Sequence, residues 1–143
     1  MNSVSAIDTS NKIKIMRIFT ILFLLLMANS LFSQSKSQVF EAIRKSDLIA
    51  LSDMFDKKIE YCFNDQIEFL DKPAALKAVK AFLERNIPKT VTPMHQGTSK
   101  SEDSNFAIAT METTNGRKFR IYVYAENSGG KLLVQELRID IQK

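Results

Sequence analysis

The sequence has no tryptophan, one cysteine and one histidine, and only three prolines and four glycines in 143 residues. Each shortage excludes something. A single cysteine, Cys62, allows no intramolecular disulfide and no thiolate metal cluster. Adding the single histidine, His95, still falls short of the three or four ligands of an ordinary zinc site. The acids Glu102 and Asp103 are too sparse for a carboxylate calcium site. No metal and no cofactor is therefore expected. The adjacent Gly129 and Gly130 suit a hairpin turn rather than a phosphate loop. The Gly-x-Ser-x-Gly elbow of serine hydrolases is missing. Net charge is only +4, and half of it comes from Lys12, Lys14 and Arg17 against Asp8. Beyond residue 33, Lys and Arg alternate with Asp and Glu, without the basic stripe that marks a nucleic-acid surface. No nucleic-acid partner is expected.

Long apolar runs are also scarce. The one that stands out, Ile18 to Ala28, is uncharged and too short to cross a bilayer, which takes about 20 residues. It follows Lys12, Lys14 and Arg17 and precedes the small residues Ala28, Ser30 and Ser33, which is the three-part pattern of a secretory signal peptide. Cleavage fits after Ser30 or Ser33, and Ser33 is favoured because Gln34 opens a polar stretch. Met16 before Arg17 would suit a start of translation, making residues 1–15 an upstream extension. The expectation is a leader over residues 1–33 and one domain over 34–143, exported to the periplasm or beyond with no remaining membrane anchor. In an oxidising compartment an unpaired cysteine is best buried, and the flanking Tyr61 and Phe63 place Cys62 inside.

The rest has ordinary globular composition, with 45% hydrophobic and 25% charged residues. Ser37 is placed to cap a helix carrying Val39, Phe40 and Ile43, and Asp47 to cap a short second one carrying Leu48, Leu51, Met54 and Phe55. Strict alternation over 58–63 and 66–70 around Asn64-Asp65 predicts a hairpin. Asp71 and Pro73 then start a helix with Leu76, Val79, Leu83 and Ile87 on one side, ended by Pro88. Strands are expected over 90–97, 106–113, 117–126 and 132–142, with 100–105 a polar loop and Asn115-Gly116 a two-residue turn. Helices first and strands last predict an α+β domain, a curved antiparallel sheet wrapped around about three helices.

The two-helix entry Val39, Ile43, Ser46-Asp47, Leu51, Phe55 and Ile59 resembles the nuclear-transport-factor-2-like fold, a cone-shaped α+β domain. So do the helix from Asp71 to Ile87 and the terminal Leu137-Arg138-Ile139. That family usually has Gly where this chain has Ser46. More narrowly, Asn115-Gly116, Phe119-Arg120-Ile121-Tyr122 and Gln135-Glu136-Leu137-Arg138-Ile139 are similar to an uncharacterised family of exported domains from Bacteroidetes-type bacteria. The resemblance implies a pocket between the sheet's concave face and the helices, and dimers formed through the convex face.

Three residues are candidates for that pocket. Tyr61 shares a face with Ile59 and Phe63, its ring in the core and its hydroxyl at a rim. Gln135 shares a face with Leu133, Leu137 and Ile139, either to meet a ligand or to hydrogen-bond a protein neighbour. His95 is the right type for a base, with no orienting acid evident from spacing. Arg120, Tyr122 and Tyr124 share the other face of their strand, opposite Val134, Glu136 and Arg138, and mark a candidate partner surface. The expected function is a non-enzymatic module for a small apolar ligand or a protein partner, including a homodimer through the convex face. The alternatives are a small isomerase or dehydratase working in the cone, or a structural subunit of an envelope assembly.

Overall fold

Asp47 and Asp71 each cap a helix. The Asp47 carboxylate accepts from the Ala50 N–H at 3.0 Å and the Asp71 carboxylate from the Ala74 N–H at 2.9 Å, satisfying helix N–H groups left without carbonyl partners. The computed structural model describes Lys14 and residues 34–100 and 104–143. The expected leader, apart from Lys14, lies outside the described residues. The elements are α1 (Gln34–Lys45), α2 (Leu48–Met54), β1 (Phe55–Phe63), β2 (Gln66–Asp71), α3 (Lys72–Arg85), β3 (Pro88–Thr98), β4 (Ser104–Thr113), β5 (Lys118–Ser128) and β6 (Lys131–Gln142).

Helix α1 begins three residues before the expected cap, so Ser37 lies inside it. The apolar stripe fixes that a helix exists there but not where it starts. At its other end Ser46 takes the left-handed conformation, φ 54°. Its N–H bonds to Ile43 O at 3.0 Å and the Asp47 N–H to Ala42 O at 2.8 Å. That pair of bonds is a Schellman ending, in which glycine is the usual residue.

The six strands form one curved, unclosed sheet in the order β2-β1-β6-β5-β4-β3. All neighbours are antiparallel except β1 and β6, which run parallel, so the sheet is mixed rather than purely antiparallel. Asn64 (φ 47°) and Asp65 (φ 66°) make the tight β1–β2 turn, both left-handed as a type I′ turn needs. The Asn64 side chain also accepts from Ile141 N–H at 2.9 Å, fastening the turn to the end of β6. Between β4 and β5 the Thr113 N–H reaches Arg117 O at 3.0 Å, so the loop has three residues, 114–116, with Gly116 at φ 80°. The expected two-residue turn is corrected accordingly.

The helices cover one face of the sheet. The core there contains Ile43, Leu51, Phe55, Ile59, Val79, Leu83, Met111, Phe119, Ile121, Leu137 and Ile139, all nearly inaccessible. Phe82 stands between Phe63 (ring centroids 5.7 Å) and Phe119 (5.0 Å, edge-on). The alternation of β6 breaks once. Tyr124 pairs with Glu136 but Ala125 with Val134, so Gln135 is the extra residue of a β-bulge. This turns Val134 into the core at 1% exposure, where strict alternation had placed it outside. It also separates Gln135 and Leu133 from the inward set of Leu137 and Ile139. Ile141, expected in the core, is 45% exposed at the strand's end.

Candidate functional site: a filled cone and an open convex face

Inside the cone, toward the start of β4, α1 and α2 approach the sheet around Val39 and Met54. Ala107, Val123, Ala125, Leu132 and Val134 close the space from the sheet side, with Asn105 the polar member of the lining. The cavity that these described residues enclose measures about 20 Å³, enough for one water. Asn105 is 8% exposed. Its Oδ1 accepts from the Thr98 hydroxyl at 2.8 Å, while its amide N–H groups have no partner among the described residues.

Tyr61 lies in the core, 7% exposed. Burial, the nearby Glu68 carboxylate and Cys62 push its phenol up to about 12, so it is a neutral hydrogen-bond donor across the physiological range. Gln135 uses its side-chain amide on Asp56, Nε2 to Oδ2 at 3.2 Å. His95 is exposed and on the other side of the sheet. Pro93 pairs with the buried Ala109, and a bulge between Pro93 and His95 then sets His95 beside Ile108, which faces outward. The structure therefore does not gather Tyr61, Gln135 and His95 into one site. His95 stands four strand positions from Tyr61 and on the opposite face.

The convex face presents rows of side chains set by the register. One row runs Ile67, Cys62, Arg138, Tyr122, Ile108, His95, and the next Phe69, Glu60, Glu136, Tyr124, Phe106, Gly97. Arg120, Tyr122, Glu136, Arg138 and Asp140 line a solvent-open groove of about 280 Å³. Arg138 donates to Glu136 at 3.0 Å and lies 3.8 Å from Glu60, and its guanidinium is held all the more firmly protonated by Glu136. Arg120 is exposed and has no ion pair among the described residues. Partial burial raises the Tyr122 phenol, with Glu136 and Tyr124 adding to it. Tyr124 donates to Glu126 at 2.7 Å. The Phe106 ring stacks beside Tyr122, centroids 6.3 Å apart and 19° from parallel. Cys62 lies beneath this face at 0% exposure, so the expectation of a buried cysteine holds.

Residues 36–140, most of the chain, match the family described as Domain of unknown function (DUF4783). The chain belongs to this family. The DUF4783 domain is similar to a DUF4783 family protein from Bacteroides ovatus at 27% identity and TM-score 0.69, over 74% of this chain and 94% of that one. A second, from Bacteroides fragilis, is 28% identical at TM-score 0.68, over 73% and 96%. An NTF2-like protein from Cytophaga hutchinsonii, 13% identical, shares the fold at TM-score 0.61 over 80% and 98%. No curated protein matches. The nuclear-transport-factor-2-like fold and the Bacteroidetes-type family expected from the sequence are both borne out.

In the DUF4783 domain the expected trio Arg120, Tyr122 and Tyr124 does share one outward face, and it is joined there by Phe106 and Ile108 of β4. Sequence reasoning missed Phe106 because it assigned no face to that strand. It missed Asn105 by placing it in a loop. A signal was present in each case, since Ala107, Ala109 and Met111 alternate inward with Asn105 and leave Phe106 and Ile108 outside.

Proposed function

We propose that this DUF4783 domain is a non-enzymatic interaction module that pairs with a second copy of itself through the convex face. The supporting observation is the contrast between the two faces. The cone's cavity of about 20 Å³ is far below the roughly 300–1,000 Å³ of small-molecule sites. The convex groove is open at about 280 Å³ and lined by two arginines and a tyrosine, residue types enriched in interfaces. Arginines and carboxylates alternate across it, which suits a two-fold contact in which one patch meets itself. Isomerase or dehydratase chemistry needs an ionisable group in the cone, and the residues lining the cavity include none.

A second reading has one observation in its favour. Asn105 is the polar residue in the apolar lining of the cavity, and its amide N–H groups bond to nothing among the described residues, so a small apolar molecule with a hydrogen-bond acceptor would find a partner there if Met54 moved aside. Native mass spectrometry of the purified protein separates the readings. A dimer without added mass is expected. A monomer retaining a small molecule, released on denaturation, would overturn pairing in favour of the cone.

The domain acts after export, in the periplasm or outside the cell. The charged, apolar and small-residue order before Gln34 supports this. Sequencing the N-terminus of the exported protein should begin at Gln34. A chain that retains residues 18–28 contradicts the reading.

A further inference from the structure

The sheet is unclosed, and its two edges differ. The β3 edge carries Pro88 and Pro93 and a bulge between Pro93 and His95, features that block pairing with a further strand. The β2 edge has no proline and no lysine, and its register with β1 runs unbroken from Phe63–Gln66 to Lys58–Asp71. A two-residue type I′ turn makes its closing pair, Phe63–Gln66, a doubly hydrogen-bonded one. Bonded and non-bonded pairs then alternate. The N–H and C=O groups of Gln66, Glu68 and Leu70 therefore point to β1, and those of Ile67 and Phe69 point to the outer edge, which no strand pairs among the described residues. The same two residues expose large apolar side chains on the outer face, Ile67 at 51% and Phe69 at 80%. On the other face Glu68 lies beside Tyr61, whose phenol it raises.

We infer that the β2 edge takes up an extended segment of a protein partner as a seventh strand, and that this segment alternates apolar with basic residues. The backbone groups of Ile67 and Phe69 supply the ladder bonds. Apolar residues of the incoming strand lie against Ile67 and Phe69. Basic residues, on the other face, lie against Glu68. Charge decides against a second copy as the occupant. From Asp65 to Asp71 the edge carries three carboxylates and no cation, and any two-fold pairing of β2 with itself doubles that charge within one ribbon. Ile67 and Phe69 stand on the same outer face as the Arg120–Tyr122 groove, two strands from Arg138 and Glu136, but the ladder groups lie along the β2 edge, so the inference rests on that edge and not on the pairing proposed above.

Two synthetic octapeptides test it, one alternating Lys with Val and one alternating Glu with Val, each added to the purified protein. Amide hydrogen exchange is followed by NMR at Ile67 and Phe69. Near saturation the Lys-Val peptide should slow both amides about tenfold, the Glu-Val peptide should leave them unchanged, and Glu68→Lys should remove the effect of the first. The inference is overturned if neither peptide, or both alike, protects these amides, or if protection falls on β3. It is equally overturned if Ile67 and Phe69 become protected with rising protein concentration alone, which would make a second copy the occupant.

Discussion

The ring of Phe106 occupies the space that a side chain at Gly97 would need. The absent Cβ lets the ring settle over β3 and stack beside Tyr122, so a glycine on the edge strand sets the shape of the convex aromatic patch. Gly97→Ala should push the far edge of this partly exposed ring aside at little cost in stability and weaken self-association. Unchanged self-association in sedimentation would contradict this role for the ring.

Tyr61 makes stability depend on alkaline pH. Its phenol is raised to about 12 in the fold, against about 10 in an unfolded chain. The folded state therefore holds its proton longer. The contribution is fully present below about pH 10 and is lost as pH rises through about 12, a change on the order of 2 kcal/mol. Tyr61→Phe should be flatter than the unaltered protein over that window in denaturant titrations. Parallel curves would assign the alkaline loss to other groups.

Cys62 should be inert in the folded protein. It has no accessible surface, and burial pushes its thiol up, which leaves little thiolate. A maleimide at pH 8 should label it only as fast as the chain opens, and at once in denaturant. Rapid labelling of the native protein would show that the face above it is not closed.

Gln135 shows where the sequence stops being legible. Helix caps at Asp47 and Asp71 and the turn at Asn64-Asp65 follow from neighbours a few residues away, and all were readable. The bulge at Gln135 follows from β5 and β1, which are distant in sequence, so alternation alone placed Val134 outside and Gln135 among the core residues. The parallel pairing of β1 with β6 was hidden for the same reason, and the bulge after Pro93 concealed which face His95 would take. Arg120, Tyr122 and Tyr124 were found because β5 alternates without interruption over that stretch. The side chain of Gln135 serves Asp56, so Gln135→Ala should lower stability by about 1 kcal/mol and leave the oligomeric state unchanged. A shift in mass instead would make Gln135 part of a binding surface.

Whether two copies meet through the convex face is decided by sedimentation equilibrium of the purified protein with and without Tyr122→Asp. Tyr122→Asp removes the aromatic ring from the middle of the face, where tyrosine carries much of an interface's contact, and draws Arg120 and Arg138 of the groove onto the new carboxylate instead of a partner, whereas Tyr122 is only half-buried in the single chain, so the variant should still fold. Pairing through this face gives twice the chain mass for the unaltered protein and a folded monomer for Tyr122→Asp. A monomer in the first case, or an unchanged dimer in the second, would contradict it.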